Sequence, residues 1–248
     1  MAFHSKLIFF QRLKYLGLCG VLFLLIGCAT RPKNQDVELS VPNDAWWTSI
    51  AQTGPKDMRN LAEVRARFKK IYPGSFALAF AKTEEINAYA SLQKDTTYVI
   101  FTDAFMHEFG SDSDALAVVL GHELAHHYLG HTQPGYRDNR DFAVEASSHT
   151  FGLIASYFIP FGGLIVGNAV RAVGRGYDRD EERAADLKGM EWAMAAGYSP
   201  CGSYRFSNRL QQLGTKSAIA ILSTHPGDEE RKENASRFAQ ANGLQGCR

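Results

Sequence analysis

Two histidines spaced for one face of a helix, with a glutamate between them in the sequence, constrain this chain more than any other feature. His122 and His126 stand four residues apart with Glu123 between them, inside the apolar run 115–129. Residues at i and i+4 share a helical face, so both imidazoles can reach one metal ion while the glutamate stays near a water molecule. The spacing predicts half of a zinc site suited to hydrolysis, in which Glu123 is catalytic rather than ligating.

The residues around this pentad predict that it lies in a helix. Asp112 is a candidate N-cap, and Pro134 with Gly135 is expected to end the segment. Between them runs an apolar stripe at helical spacing, formed by Ala115, Leu116, Val119, Leu120 and Leu124. Such a pentad arises by chance in roughly one chain in a hundred of this size, but unpartnered histidines on a buried helix would be costly. The context therefore favours metal ligands.

A hydrolytic zinc site needs a third protein ligand and one open position. The best candidates lie at the charged start of another predicted helix, which runs to Ala196 and stops at Gly197. Glu182 and Asp186 are four residues apart, so one carboxylate could bind the metal while the other accepts the free N–H of a ligating histidine. A solvated charge run at a helix N-terminus is the alternative.

These segments together resemble one family. The stretches 118–126, 179–186 and 196–198 are similar to the zinc metallopeptidases that include HtpX, the CAAX prenyl endopeptidases and periplasmic lipoprotein proteases such as BepA and LoiP. The resemblance covers roughly residues 76–231. It implies a gluzincin with one Zn²⁺ per chain, in which Glu182 is the third ligand beside His122 and His126.

Two weaker matches extend the resemblance. Asn87, Ala88 and Tyr89 look like the family's N-A-[FY]-A stretch in a small sheet beside the cleft, where an extended substrate could be held as an added strand. His225, followed by a proline and by Arg231, looks like the family's H-P-x-x-x-x-R loop. This implies that His225 approaches the zinc, either as a fourth ligand that closes the resting site or as a donor to the developing oxyanion. A turn residue ahead of a proline is the alternative.

The chain also departs from the family pattern. Residues 92–96 replace a glycine turn after the Asn87 stretch, which leaves the shape of that cleft edge open. His127 and His131 form a second i,i+4 pair on a face rotated from the pentad, and no carboxylate is evidently paired with them. We expect them to be surface or helix-end histidines.

The N-terminus has the pattern of a bacterial lipoprotein. Three basic residues precede the apolar run 15–26, which suits a signal peptide, and residues 25–28 resemble a lipobox with Cys28 as the acylated residue. Ala29 follows Cys28, which by resemblance to enterobacterial lipoproteins favours the outer membrane of a Gram-negative bacterium, facing the periplasm. An uncleaved membrane anchor is the alternative. The expected organisation is a signal peptide at 1–27, a lipidated N-terminus and tether at 28–55, and a metallopeptidase domain at 56–248.

Charge and cysteine content refine this picture. The net charge of +1 becomes −2 when residues 1–27, with three Lys/Arg and no Asp/Glu, are removed (1 − 3 = −2), and no basic patch points to nucleic acid. Cys201 and Cys247 would then stand in an oxidising compartment, and we expect them to form a disulfide. The alternative is that Cys247, one residue from the end, is frayed and free.

The expected fold class is α+β and dominated by helices. Residues 57–72 read as an amphipathic helix, 76–81 and 98–102 as strands, and another helix starts near Ala104. With the resemblance, this becomes a zincin-like fold with an active-site helix, a small sheet at the cleft and a helical C-terminal part. The apolar segment 151–173 reads as two packed helices covering the active-site helix, or as a surface that touches membrane or an unfolded client.

The expected activity is hydrolysis of peptide bonds in unfolded or misassembled envelope proteins, as quality control. That role, and contact with the outer-membrane assembly machinery, come from the resemblance alone. The alternative from another class is a non-proteolytic chaperone or adaptor for outer-membrane protein assembly, in which zinc is structural and the fourth position is plugged, for example by His225.

Overall fold

The computed structural model describes residues 39–93, 95–133, 177–214, 221, 225 and 228–248. Within these ranges the chain forms four strands and seven helices: β1 (Leu39–Ser40), α1 (Asp44–Thr53), α2 (Lys56–Ile71), β2 (Ala77–Ala81), β3 (Ala88–Gln93), β4 (Thr96–Thr102), α3 (Asp103–Phe109), α4 (Ser113–Tyr128), α5 (Arg179–Ala195), α6 (Cys201–Leu213) and α7 (Asp228–Ala241). The predicted helix-dominated α+β class is confirmed. The signal peptide, Cys28 and the apolar segment 151–173 lie outside the described residues.

The four strands form one mixed sheet in the order β1-β2-β4-β3. β2 runs parallel to β4, whereas β1 and β3 are antiparallel to their neighbours. The pairing of β3 with β4 ends where Gln93 lies opposite Thr96, and Asp95 adopts a left-handed conformation with φ of 67°. Aspartate tolerates this conformation better than most residues, so it serves where the family usually has glycine. Among the described strands, β3 is an edge strand.

Side chains alternate across the sheet and separate two apolar clusters. Leu78, Val99 and Phe101 face the helices and join the main core. Ala79 and Ile100 point to the opposite face, where they form a smaller cluster with Ala81 and Tyr89. Successive side chains of a strand point to opposite faces of the sheet. Because one cluster covers each face, the central strands are buried on both.

Helix α4 is the centre of the molecule. Every residue from Ala115 to His127 is buried, and the Asp112 side chain caps its N-terminus by accepting hydrogen bonds from the backbone N–H groups of Asp114 and Ala115. The helix ends at Tyr128, before the proline that was expected to end it, because the chain reverses at Gly130 with φ of 81°. Glycine takes this left-handed conformation without steric cost.

Helix α5 packs directly on α4 through two glycines. A Cβ added to Gly121 would lie 2.7 Å from the backbone oxygen of Gly189, and one added to Gly189 would lie 2.6 Å from the backbone nitrogen of His122. The two backbones are thus in contact where the helices cross. This close approach carries the charged first turns of α5 to the histidine face of α4.

Helix α1 lies in the stretch that the sequence analysis assigned to a tether. Asn43 caps it, and Trp47 is buried with its ring 5.9 Å from that of Phe80 and under the guanidinium of Arg65. A single buried residue in ten gives no periodic apolar pattern, which is why the sequence did not predict this helix. Among the described helices, none has the length and apolar character needed to cross a membrane.

Candidate metal centre

Four buried side chains from three parts of the chain point at one position. His122 and His126 lie one turn apart on α4, with their Nε2 atoms 3.0 Å from each other. Glu182, in the first turn of α5, places Oε1 3.4 Å from Nε2 of His126. His225 places Nδ1 3.1 Å from Nε2 of His122 and 2.9 Å from Oε1 of Glu182.

This donor set fits zinc. Four ligands held tetrahedrally at about 2.0–2.1 Å from the ion lie roughly 3.3–3.4 Å from one another, and the four donor atoms here all lie within 4.8 Å of one another. Three imidazole nitrogens and a carboxylate oxygen are zinc ligands by type. The predicted ligands His122, His126 and Glu182 are therefore brought together, and His225 joins them.

A carboxylate and an arginine hold two of these ligands in place. Asp186 accepts a hydrogen bond from Nδ1 of His122 at 2.8 Å, which leaves Nε2 of that ring free for the metal. Arg231 donates to Asp186 at 2.8 Å and to Glu182 at 2.9 Å. Burial alone would raise the pKa of Asp186, but Arg231 and His122 outweigh it and hold that pKa below its usual range.

The charge of Glu182 is likewise fixed by its surroundings. Burial alone would raise the pKa of its carboxyl, but His225 and His122 outweigh burial and hold that pKa well below its usual range. Glu182 is therefore an anion in the folded protein, as a metal ligand must be.

His126 is held by His131, which was expected to be a surface or helix-end histidine without a role at the metal centre. Nδ1 of His131 lies 2.9 Å from Nδ1 of His126, and the ring of Tyr177 stacks on that of His126 at 3.5 Å. Nε2 of His126 faces the other ligands, so the contact with His131 occupies the second ring nitrogen. In the neutral rings, His126 donates from Nδ1 and His131 accepts.

Of the two positions expected for His127 and His131, the surface one was wrong, whereas the helix-end one is confirmed: His127 lies in the last turn of α4 and His131 follows the helix end. Their exposed fractions are 8% and 6%. The chain reversal at Gly130 returns His131 beneath the helix end, where its N–H donates to the carbonyl of His126 at 2.9 Å. His127 contacts the carbonyl of Tyr98 at 2.9 Å, and burial lowers its pKa to about 4, so it is neutral at pH 7.

Glu123 lies fully buried beside the four donors. Its Oε1 is 3.6 Å from Nε2 of His225, and neither carboxylate oxygen accepts a hydrogen bond from a side chain within the part of the chain that the structure describes. Burial raises the pKa of Glu123, against the opposing effect of His225 and His122. A buried carboxyl of this kind can take up a proton and release it again.

The Asn87 stretch lies at the start of the edge strand, and β3 packs against α4. Thr102 fixes it: the Thr102 hydroxyl accepts from the Asn87 N–H, and the Thr102 N–H donates to the Asn87 carbonyl, both at 3.1 Å. Ala88 and Tyr89 are buried, and Oδ1 of Asn87 is buried without a hydrogen-bond partner among the described residues. Away from the metal centre, Cys201 at the start of α6 and Cys247 in the C-terminal tail form a disulfide.

Sequence reasoning did not assign roles to His131, Tyr177 or Arg231. Arg231 is the last residue of the H-P-x-x-x-x-R pattern that begins at His225, and this pattern could have indicated that the arginine lies near the metal centre. No spacing in the sequence indicates His131, because its position depends on the chain reversal after α4.

Comparison with known proteins agrees with the motifs. Residues 55–239 match the model of peptidase family M48. The chain is 30% identical over 144 residues to the mitochondrial metalloendopeptidase OMA1 of Arabidopsis thaliana, and the match covers 58% of this chain and 27% of that relative. The chain thus matches about a quarter of the relative's length. With its histidine and glutamate ligands assembled as zinc requires, the chain belongs to peptidase family M48.

Proposed function

We propose that this protein is a zinc-dependent endopeptidase in which Glu123 is the general base. The observation that carries the proposal is the Glu123 carboxylate, which is fully buried beside four metal-binding side chains and accepts no hydrogen bond from a side chain among the described residues. A buried carboxylate that accepts no side-chain hydrogen bond destabilises a fold, so a purely structural zinc site gains nothing from it. A base that must receive a proton needs free lone pairs.

The chain's own residues divide the work of hydrolysis. His122, His126 and Glu182 would hold the zinc ion, which when bound would supply Lewis acidity. Glu123 accepts the proton of the attacking water and passes it to the leaving amine, and its raised pKa brings the protonated form within reach. His225 lies within reach of both the donors and Glu123, so it either completes the resting site or donates to the developing oxyanion.

Extended segments of unfolded envelope proteins are the proposed substrates. Support comes from β3, which is an edge strand among the described strands and packs against α4. A peptide that adds to such an edge uses backbone hydrogen bonds and must itself be extended, which folded proteins rarely allow. Asn87, Ala88 and Tyr89 would line this edge.

We further propose that the enzyme is an outer-membrane lipoprotein facing the periplasm, acting in quality control near the outer-membrane assembly machinery. The sequence pattern of residues 1–28 supports this proposal. Expression in a Gram-negative host with radiolabelled palmitate tests it. The wild type should be labelled and float with outer membranes, and Cys28→Ala should be unlabelled; an unlabelled wild type would contradict lipidation.

One observation favours a second function, that of a non-proteolytic chaperone. His225 places a donor atom beside the other three, where it could close the fourth ligand position, and closed zinc sites are structural ones. Incubation with unfolded casein separates the two functions. Chelator-sensitive fragments support the peptidase, whereas protection from aggregation without fragments supports the chaperone.

Paired substitutions at the centre test the assigned roles. We expect Glu123→Gln to keep stoichiometric zinc and lose casein cleavage by at least about a hundredfold, because only the proton acceptor is lost. His122→Ala should lose both zinc and cleavage. Glu181→Gln is the matched control: Glu181 is also buried, but glutamine can replace it in the capping box at the start of α5, so cleavage should persist. Equal zinc loss in Glu123→Gln and His122→Ala would contradict the assignment.

A further inference from the structure

The hydrogen bonds between β3 and β4 decide which backbone groups of β3 face its open edge. Ala88 lies opposite Phe101, and at the next position the Thr102 N–H donates to the Asn87 carbonyl at 3.1 Å. In antiparallel strands such hydrogen-bonded pairs alternate with pairs whose N–H and C=O groups point away from the partner strand. Following this alternation along the register, the backbone groups of Ala88 and Ala90 point away from β4.

The Ala90 N–H is turned to the edge of the sheet, yet Ala90 is buried, with an exposed fraction of 3%. A buried backbone N–H needs an acceptor, because leaving it without one is as unfavourable as losing a hydrogen bond. The acceptor comes from α4, which packs against β3: the Ala90 N–H is a hydrogen-bond donor to the Glu123 carboxylate. The edge strand thus provides a backbone partner for a carboxylate that accepts no side-chain hydrogen bond among the described residues.

A second link ties β3 to another neighbour of Glu123. The Ile221 N–H donates to the carbonyl of Ile86, just before β3, at 3.3 Å, and the His225 N–H donates to the carbonyl of Ile221 at 2.9 Å. Nε2 of His225 lies 3.6 Å from Oε1 of Glu123. The Glu123 carboxylate therefore has two neighbours, Ala90 and His225, whose positions both depend on β3.

We propose that the backbone N–H of Ala90 is a positioning group for catalysis, which holds the Glu123 carboxylate turned toward the metal centre. A general base works only when its oxygen lies within hydrogen-bond reach of the proton that it accepts. Helix α4 fixes the backbone of Glu123, but a glutamate side chain is long and has several rotamers. The Ala90 N–H selects the one that catalysis needs. This inference rests on the proposed peptidase function, in which Glu123 is the base.

The positioning group lies on the same edge that is proposed to receive an extended substrate. Because the Ala90 N–H is bound to Glu123, a substrate strand is left with the outward-facing backbone groups on either side of it, those of Ala88 and Leu92. The strand that orders the peptide therefore also orders the base that acts on it.

Replacing the Ala90 N–H by an ester oxygen tests the role without changing a side chain. Lactic acid, the hydroxy-acid counterpart of alanine, is incorporated at position 90 with a suppressor tRNA, and cleavage of a fluorogenic peptide made from a casein cleavage site is measured. We expect kcat to fall at least about tenfold, because a hydrogen bond to a charged group is lost. KM should change by less than about threefold, since the substrate does not use this N–H. Zinc should stay stoichiometric.

The matched control is the corresponding ester at Leu92, whose N–H faces the same edge. An ester also weakens the carbonyl of the preceding residue, and Tyr89 and Ser91 both lie opposite residues of β4 in hydrogen-bonded pairs, so the two exchanges disturb the sheet alike. The Leu92 ester should keep kcat within about threefold of the wild type, and any loss should appear in KM.

An NMR measurement tests the contact apart from activity and from the folding of the ester variants. In zinc-loaded protein carrying isotope-labelled alanine, Glu123→Gln should shift the Ala90 amide resonance more than that of Ala88. An Ala90 resonance that does not respond, or an equal fall of kcat in the two esters, would overturn the proposal. A wild type that cleaves no peptide, with an Ala90 resonance that does respond, would contradict the peptidase function and support the contact.

Discussion

At the scale of single residues, the two histidine ligands are held by different partners. Asp186 contacts the second ring nitrogen of His122, and His131 contacts that of His126. Such partners orient a ligand ring and fix which nitrogen carries the proton. The metal centre therefore extends beyond its four donors.

Replacing His131 should weaken zinc binding. We expect His131→Ala to lower zinc affinity by about 10- to 100-fold, because His126 loses the partner that fixes its ring. A competition titration against a chelating indicator measures this. His127→Ala is the control, since His127 is equally buried but contacts the carbonyl of Tyr98 and Thr132 rather than a ligand. The same loss of affinity in both variants would show that burial, not the contact with His126, matters.

Spacing along the sequence predicted the residues that share a helix but not those brought close by irregular chain. His122 and His126 were predicted because they share one helical face, and Glu123 because it stands between them. Glu182 was predicted from the pair of carboxylates at 182 and 186 together with the family resemblance. His131 has the same residue type and similar spacing, yet its position depends on the left-handed turn at Gly130. No local pattern records where such a turn returns the chain.

At the scale of helices and strands, burial decided what could be predicted. Helices α2, α4 and α5 each bury at least one face, so the helical spacing of their buried residues could be recognised in the sequence. Helix α1 buries only Trp47. In β3 the first four residues are all buried, so the alternation expected of a strand is absent, and only the family resemblance placed it in the sheet.

The crossing of α4 and α5 should tolerate no side chain. We expect Gly189→Ala to lower the free energy of unfolding by about 1–3 kcal/mol and to weaken zinc binding, because the new Cβ would meet the backbone of His122. Alanine has a higher intrinsic helix propensity than glycine, so propensity alone would raise the free energy of unfolding. A decrease would therefore show that the close packing of the two helices outweighs propensity. Thermal unfolding measures it. Lys188→Ala, on the neighbouring outer face, should change stability by less than about 0.5 kcal/mol.

A charge pair between α4 and α6 should make stability depend on pH. Arg205 donates to Asp112 at 2.6 Å. Burial alone would raise the pKa of Asp112, but Arg205 and the capped N–H groups hold it below its usual range. A lowered folded pKa contributes stability above the unfolded value of about 3.9, and this stability is lost as the pH falls through the folded pKa.

The substitution Asp112→Asn isolates this charge effect, because asparagine caps a helix about as well as aspartate. We expect a loss of about 0.5–1 kcal/mol at pH 7, since both partners are partly exposed and screened by water. Urea unfolding of both proteins from pH 7 to pH 3 should show the difference shrinking below pH 4. A difference that is constant over this range would mean that capping, not charge, is responsible.

At the scale of the whole molecule, the C-terminal part closes the structure onto the metal centre. Arg231 in α7 binds Asp186 and Glu182 of α5, and α7 packs against α6. The tail after α7 is joined to the first residue of α6 through Cys201 and Cys247. The disulfide thus confines the chain segment that carries both His225 and Arg231.

Removing this disulfide should lower the stability of the fold but change zinc binding at the metal centre little. The two cysteines are 46 residues apart, and closing a loop of that length corresponds to about 4 kcal/mol in the chain-entropy model. We expect the Cys201→Ser/Cys247→Ser double variant to unfold at a markedly lower urea concentration. Because the effect acts mainly on the unfolded chain, zinc affinity of the folded variant should stay within about threefold of the wild type. A variant that keeps its unfolding midpoint but loses zinc would instead show that the disulfide positions Arg231. In that case the covalent bond, rather than the packing of α7, would hold α7 against the metal centre.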